Sequence, residues 1–307
     1  MRPHRETGVI MQAGMIAQEA KKAELLAKGQ QIKLVACDLD GTLLNKQGWL
    51  SPATLDLPQK LAAKGILLTL SSGRIHTMLG TICEAMKITC PIISCNGGTV
   101  IHPQTGEVLL HQGLDRQSAE AILALGLQHK LELSILSPTL NLFTANSQRW
   151  QNFIRYNEKA AAMALPEMQI KRWAEDISYE EALLDLRQVE VSKVLCREPG
   201  SALPLLQALV ADFPALALTQ SSAELYELIP AHISKGKALL TLAQRLGIQQ
   251  HQIMAFGDYE NDRSMLEAAG FAVAMENASP GIKAIADYVT GHHDQDGVVK
   301  ALERFVL

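Results

Sequence analysis

Asp38 and Asp40 stand two residues apart in Asp38-Leu39-Asp40-Gly41-Thr42, directly after the apolar run Ile32-Lys33-Leu34-Val35-Ala36-Cys37. Carboxylates on a short loop past a buried strand can hold a cation, attack an electrophile or move protons, and Asp-x-Asp alone does not choose among these. A second acidic cluster, Asp258-Tyr259-Glu260-Asn261-Asp262, follows the apolar run Ile253-Met254-Ala255-Phe256. Brought together, the two clusters supply several oxygen ligands for one hard cation. Mg2+ is held in this way, by few carboxylates, with waters and substrate phosphate completing its octahedron. Calcium is the rival, but its loop needs alternating ligands and a distal bidentate Glu, which this segment lacks.

A phosphoryl group also needs hydrogen-bond donors. Ser72 and the Gly73 amide follow the apolar run Ile66-Leu67-Leu68-Thr69-Leu70, in Ser71-Ser72-Gly73-Arg74. Asn96 and Gly97 follow Pro91-Ile92-Ile93-Ser94-Cys95, and Lys235 opens a helical segment. At a helix start, the Lys235 ammonium and nearby backbone N–H groups can face an anion together. Each residue also has a plain structural reading, as a solvated helix-start lysine or an ordinary turn serine or asparagine.

The elements that must carry these residues alternate. Strand, helix, strand, helix, strand over residues 32–95 is the pattern of a parallel sheet with crossover helices, and ligands bind beyond the carboxyl ends of such strands. Ser51-Pro52 marks the first helix start, and that helix is expected to run to about Lys64 and stop at Gly65. From about residue 113 to 230 the strands alternate in polarity instead, as in Leu131-Glu132-Leu133-Ser134-Ile135 and Glu190-Val191-Ser192-Lys193-Val194. Helices are expected there near 149–163 and 201–212. Alternation suits an antiparallel sheet with one covered face. The expected fold is therefore α/β, a Rossmann-like parallel-sheet core of residues 31–112 and 231–307 with an inserted α+β cap domain at 113–230. Residues 1–30 are expected to be an N-terminal appendage outside this fold, in which residues 15–28 could form a short surface helix.

Composition sets bounds on partners. At 307 residues with a net charge of -4, the chain lacks the basic excess that nucleic-acid binding requires. It has no run of the ~18 apolar residues that a membrane span needs. Residues 1–30 mix Lys and Arg with Glu and lack the apolar core of a secretory leader, and Met11 and Met15 are possible alternative starts. The five cysteines include no Cys-x-x-Cys pair and are expected to be buried free thiols, which suits a cytoplasmic protein. A monomer or weak homodimer is expected.

In chain order these residues resemble the haloacid dehalogenase-like superfamily, over essentially residues 32–307. The first motif of that family, Asp-x-Asp-x-Thr, reads Asp38-Leu39-Asp40-Gly41-Thr42, and the second, a Ser or Thr closing an apolar strand, is Ser72. The third, a helix-start Lys, is Lys235, and the fourth, Gly-Asp-x-x-x-Asp, spans Gly257-Asp258 to Asp262. The Ser-Gly-Arg and Asn-Gly-Gly runs, with the insert between the second and third motifs, resemble the Cof-type branch with a large α/β cap (subfamily IIB).

The resemblance implies a Mg2+-dependent phosphatase acting on a small phosphorylated metabolite such as a sugar phosphate, nucleotide or cofactor. Asp38 would attack phosphorus, and Asp40 would protonate the leaving alkoxide and then deprotonate water. The metal would be held by Asp38, the Asp40 carbonyl and Asp258, with Asp262 either a direct ligand or a support behind the ligands. Ser72 and Lys235 would hold phosphoryl oxygens, and Gly73, Arg74, Asn96, Gly97 and Asn261 are candidate substrate contacts. An acid at Asp40 separates phosphate-ester chemistry from the dehalogenase relatives, which lack one there, and from the ion-pumping relatives, which carry Thr. Two departures stand out: Ser71-Ser72 replaces the commoner Ala-Thr, so either serine is a possible phosphate ligand, with Ser72 favoured by spacing, and Ala231-His232 replaces a frequent Gly-containing turn.

Two alternatives share these residues: a phosphomutase, and a catalytically idle binding or regulatory protein on the same fold. Asn277 is a further candidate near the site. Trp150 and Trp173 are expected to pack rather than bind substrate. His292-His293-Asp294 is set aside as a metal patch, because adjacent histidines on a loop rarely point at one ion.

Overall fold

The computed structural model describes residues 18–137, 141–144, 175–177, 190–197, 202–222 and 225–307, together with helical positions 151, 155, 158, 161 and 162. Trp150, Trp173 and most of the helix expected at 149–163 lie outside the described residues. The strands are β1 (Leu34–Cys37), β2 (Leu67–Leu70), β3 (Ile92–Ser94), β4 (Thr99–Ile101), β5 (Val108–His111), β6 (Glu132–Leu136) and β7 (Asn141–Thr144). They continue as β8 (Glu175–Ile177), β9 (Lys193–Arg197), β10 (Leu216–Ser222), β11 (Leu225–Pro230), β12 (Ile253–Gly257), β13 (Phe271–Ala274) and β14 (Tyr288–Val289). The chain divides into two compact units, residues 1–67 with 243–307, and residues 68–242.

In the first unit β14, β13, β12 and β1 run parallel in that order. All residues of β1 and β12 are buried, as the uninterrupted apolar runs require of strands covered on both faces. Leu67, which opens β2, donates its N–H to Lys33 O at 2.9 Å. Register positions the chemistry: Leu34 pairs with Ile253 and Cys37 with Phe256, so Asp38 and Gly257-Asp258 leave the sheet at the same level.

Ser51 caps the first helix as expected, its Oγ accepting the Thr54 N–H, with Pro52 in the first turn. The helix does not run on to Lys64, however. It breaks at Asp56 into Pro52–Leu55 and Leu57–Ala62, because Pro58 has no N–H to continue the ladder. The segment expected to stand outside the fold differs more. Residues 18–29 form a helix that docks: Leu25 is buried, and Lys28 Nζ lies 2.8 Å from Asp287 Oδ1. A Cβ on Gly29 would sit 2.1 Å from Phe305 O, so the backbones approach too closely there for any other residue.

The second unit holds two sheets. One is β3-β4-β5, an antiparallel meander; the other is β10-β11-β9-β6-β7-β8, antiparallel except for the parallel β7–β8 pair. All strands of the six-stranded sheet fall between residues 132 and 230. The helices Arg116–His129 and Leu203–Asp212 cover one face of it through Ile122, Leu123 and Leu206, against Leu133, Val194, Tyr226 and Leu228. β3 was expected only as another parallel strand. It does meet the end of β2 through the parallel Ser71–Ile93 bridge, but its other edge pairs antiparallel with β4. Three successive positive-φ residues, Cys95 (52°), Asn96 (55°) and Gly97 (100°), make that reversal. Leu114 N–H bonds Val191 O at 2.7 Å, which ties the chain after β5 to the residues entering β9.

Candidate active site

The acidic cluster grows out of the β1 and β12 ends. Asp38 N–H donates to Phe256 O at 3.0 Å, and one oxygen each from Asp38, Asp258 and Asp262 lie within 4.8 Å of one another. Asp38 and Asp262 are buried, and Asp258 is half-buried. Two of these carboxylates are held by identifiable donors. Asp262 Oδ2 accepts the N–H groups of Asp258 (3.0 Å) and Tyr259 (3.2 Å). Asp258 Oδ1 accepts Thr42 Oγ1–H at 3.1 Å, and Asn277 Nδ2 donates to Gly41 O at 2.8 Å and reaches Asp258 Oδ2 at 3.4 Å.

The glycine of the first motif is required by this packing. Gly41 has φ 83°, and a Cβ there would lie 2.3 Å from Asp258 Oδ2. The N–H groups of Leu43 (3.0 Å) and Leu44 (2.9 Å) both converge on Leu39 O, so the loop folds tightly around buried Leu39 and leaves Asp40 exposed. This all-oxygen donor set fits a hard divalent cation. Buried like charges this close disfavour one another, and a cation relieves that repulsion. Asp38, Asp258 and the remaining Asp262 oxygen are the side-chain groups that would hold it.

Within the second unit, the other predicted residues also converge. Ser72 N–H donates to Ile93 O (2.9 Å), Ser72 O accepts Asn96 N–H (3.1 Å), and Arg74 O accepts Cys95 N–H (2.9 Å). Ser72 Oγ accepts the Arg74 N–H at 3.1 Å. A Cβ on Gly73 would touch Asn96 Oδ1 at 3.0 Å, and one on Gly97 would clash with Ser234 O at 2.2 Å and meet Lys235 N at 3.0 Å. Lys235, the first residue of the helix Lys235–Arg245, is fully buried. Ser234 Oγ accepts the Lys237 N–H at 3.2 Å, which starts the helix.

The profile of the haloacid dehalogenase-like hydrolases matches residues 35–302. The chain belongs to this family. It is 30% identical over 287 residues to phosphatase YwpJ of Bacillus subtilis, covering 90% of this chain and 100% of that one. It is 29% identical over 285 residues to the 5-amino-6-(5-phospho-D-ribitylamino)uracil phosphatase YwtE of the same organism, covering 90% and 98%. The solved structure of a haloacid dehalogenase-like hydrolase from B. subtilis superposes with a TM-score of 0.76 at 28% identity, over 89% of this chain and 99% of that one. This Cof-type chain is a phosphoric monoester hydrolase. The family's phosphotransferases generally use a divalent metal, and no helix among the described residues is long and apolar enough to cross a membrane.

Sequence reasoning missed two residues of this hydrolase. Asn96 Nδ2 donates to Glu227 Oε2 at 3.1 Å, and the same oxygen receives Lys193 Nζ. Both charged side chains are almost fully buried, at 3% and 5% exposed. Their signal was weak because Lys193 and Glu227 sit in alternating strands, where a charge reads as facing solvent. Thr42 was present in the first motif but had no stated role; it steadies Asp258. Among the described residues, buried Ser71 Oγ has no hydrogen-bond partner. The cysteines are all buried free thiols. Burial, aided by Asp38, pushes the Cys37 thiol well above its usual range, and burial raises Cys83 and Cys90 to about 12. Neutral thiols do not compete as metal ligands.

Proposed function

We propose that this hydrolase removes phosphate from a small phosphorylated metabolite with Mg2+ as its cation, through an aspartyl phosphate on Asp38. The observation that carries this reading is the convergence of Asp38, Asp258 and Asp262 at the ends of two paired parallel strands. Asp38 Oδ attacks phosphorus, forming the acyl phosphate as the alkoxide leaves. Asp40, on the exposed part of the loop, gives that alkoxide its proton and then takes one from the water that cleaves the intermediate. Bound Mg2+ supplies charge neutralisation at the phosphoryl oxygens. On the motif pattern, Ser72 and Lys235 bind those oxygens, with the Gly73 amide and the side chains of Arg74 and Asn96 as further donors. Ser72 is preferred over Ser71 because its hydroxyl belongs to the turn that carries the Gly73 amide.

The named relative YwtE acts on a phosphorylated ribityl-uracil. A phosphoester of comparable size is the substrate class we propose, in a reducing compartment that keeps the five thiols free. The test is phosphate release from a panel of phosphorylated metabolites with Mg2+ and with chelator. Asp38→Asn is expected to lower turnover by about 10⁴-fold or more. Release unaffected by that substitution would overturn the reading, and isomerised product without phosphate would make the protein a mutase.

A further inference from the structure

The turn before the C-terminal helix carries a cluster that phosphate chemistry leaves unused. His292 caps the 3-10 turn His293–Gln295, and Asp296 closes it with φ 56°. One nitrogen from each imidazole and one oxygen of Asp294 lie within 4.8 Å of one another. The two ring centroids are 4.6 Å apart, with planes inclined by 33°. Adjacent side chains diverge on extended backbone, which is why the sequence pattern argued against this patch. The tight turn reverses that expectation.

We propose that His292, His293 and Asp294 form a site for a borderline divalent transition ion of the Zn2+ type, separate from the carboxylate cluster at Asp38. His293 Nδ1 lies 2.7 Å from Leu44 O. A carbonyl only accepts, so Nδ1 carries the proton and the lone pair is on Nε2. A metal-binding imidazole is usually held in this way, by donating its other N–H to a backbone carbonyl. Asp294 Oδ1 accepts the Lys46 N–H at 2.7 Å, and Oδ2 faces the exposed Lys46 ammonium at 4.0 Å, which a bound ion would displace.

His292 Nδ1 accepts the Asp294 N–H at 3.2 Å and lies 3.9 Å from Asp294 Oδ2. Its lone pair therefore points into the turn, and a bound ion displaces one long hydrogen bond. Zinc bonds of about 2.0–2.2 Å place ligand atoms roughly 3–3.5 Å apart. Rotation of partly exposed side chains closes that gap, since His292 is 35% and Asp294 25% exposed. Two nitrogens and one carboxylate suit Zn2+ and its neighbours, whereas Mg2+ takes oxygen. An ion here would also brace the Asp40 loop, because His293 N–H donates to Asn277 Oδ1 at 3.2 Å and Asn277 in turn holds Gly41 O.

The test is calorimetric titration of the full chain with Zn2+ in excess Mg2+, which needs no activity readout and so stands apart from the phosphatase reading. One saturable site is expected. His292→Ala and Asp294→Asn should each weaken it by at least about tenfold, while His232→Ala, at an exposed position elsewhere, should not change it. Co2+ should give a ligand-field spectrum in the parent protein that His292→Ala abolishes, with circular dichroism confirming that each variant is folded. Absence of saturable binding, or binding unchanged in both site variants, would overturn the proposal.

Discussion

Asp38, Asp258 and Asp262 owe their meeting to strands, whereas Ser72, Asn96 and Lys235 owe theirs to turns. In the first region two buried parallel strands in register deliver carboxylates to one level, and a few hydrogen bonds from Thr42 and Asn277 complete the arrangement. In the second, a run of left-handed residues at Cys95–Gly97 folds the chain back, and close contact between Gly97 and the Ser234 carbonyl places the Lys235 backbone. Its amide Asn96 is tethered to a buried ion pair drawn from the antiparallel sheet. The strand-built cluster concentrates like charge, which a bound cation would relieve. The turn-built cluster rests on the buried Lys193–Glu227 pair and depends on its fold. The first should therefore fail mainly in function, and the second mainly in stability.

Asp258→Asn is the strongest challenge to that contrast. Removing one carboxylate from the metal set should lower activity by about 10³-fold and raise the Mg2+ requirement, with little change in melting temperature. A large loss of stability instead would show that the acidic cluster supports the fold. Next comes Lys193→Met, which takes the cationic partner from buried Glu227 and should destabilise the protein by about 3–5 kcal/mol in denaturant titration. The double variant Lys193→Met with Glu227→Leu should recover much of that loss, because no lone charge remains. Failure to recover would mean that the Asn96 tether, not the ion pair, carries the stability.

Thr42→Val removes a hydrogen bond to the Asp258 carboxylate and should cost about 1.5–3 kcal/mol, read as weaker metal affinity rather than a lower melting temperature. The smallest effect lies away from both clusters. Asp115 caps the helix Arg116–His129, and the Ser118 hydroxyl and N–H hold its carboxyl below the usual range. Asp115→Ala should cost about 1 kcal/mol at neutral pH. Because the folded value is depressed, the carboxylate's contribution is complete above the unfolded pKa and is lost as pH falls through the folded one. The gap between parent and variant in thermal melts should therefore narrow as pH falls below the usual carboxylate range.

The contrast also explains what could be read in advance. Asp38, Asp40 and Asp258 follow unbroken apolar runs, and a buried parallel strand leaves a characteristic trace: four or five apolar residues, then an abrupt polar end. Lys193 and Glu227 left none, since each stands in a strand of mixed polarity and only pairing between β9 and β11 shows that both are inward. The hairpin after Ser94 was hidden for a related reason. Cys95 and Asn96 adopt positive φ without being glycine, which local propensity disfavours. The break at Asp56 was legible in Pro58 and was overlooked under the stronger periodic pattern.

By itself the sequence determined the alternating α/β order, the strand ends that carry Asp38, Asp258, Ser72 and Asn96, and the family, because each of these resides in short-range pattern and spacing. Only tertiary structure decided the docking of residues 18–29, the buried Lys193–Glu227 pair beneath Asn96, and the convergence of His292, His293 and Asp294. Each of those depends on residues distant in the chain or on the exact path of a turn, and neither is encoded in the type of any one residue.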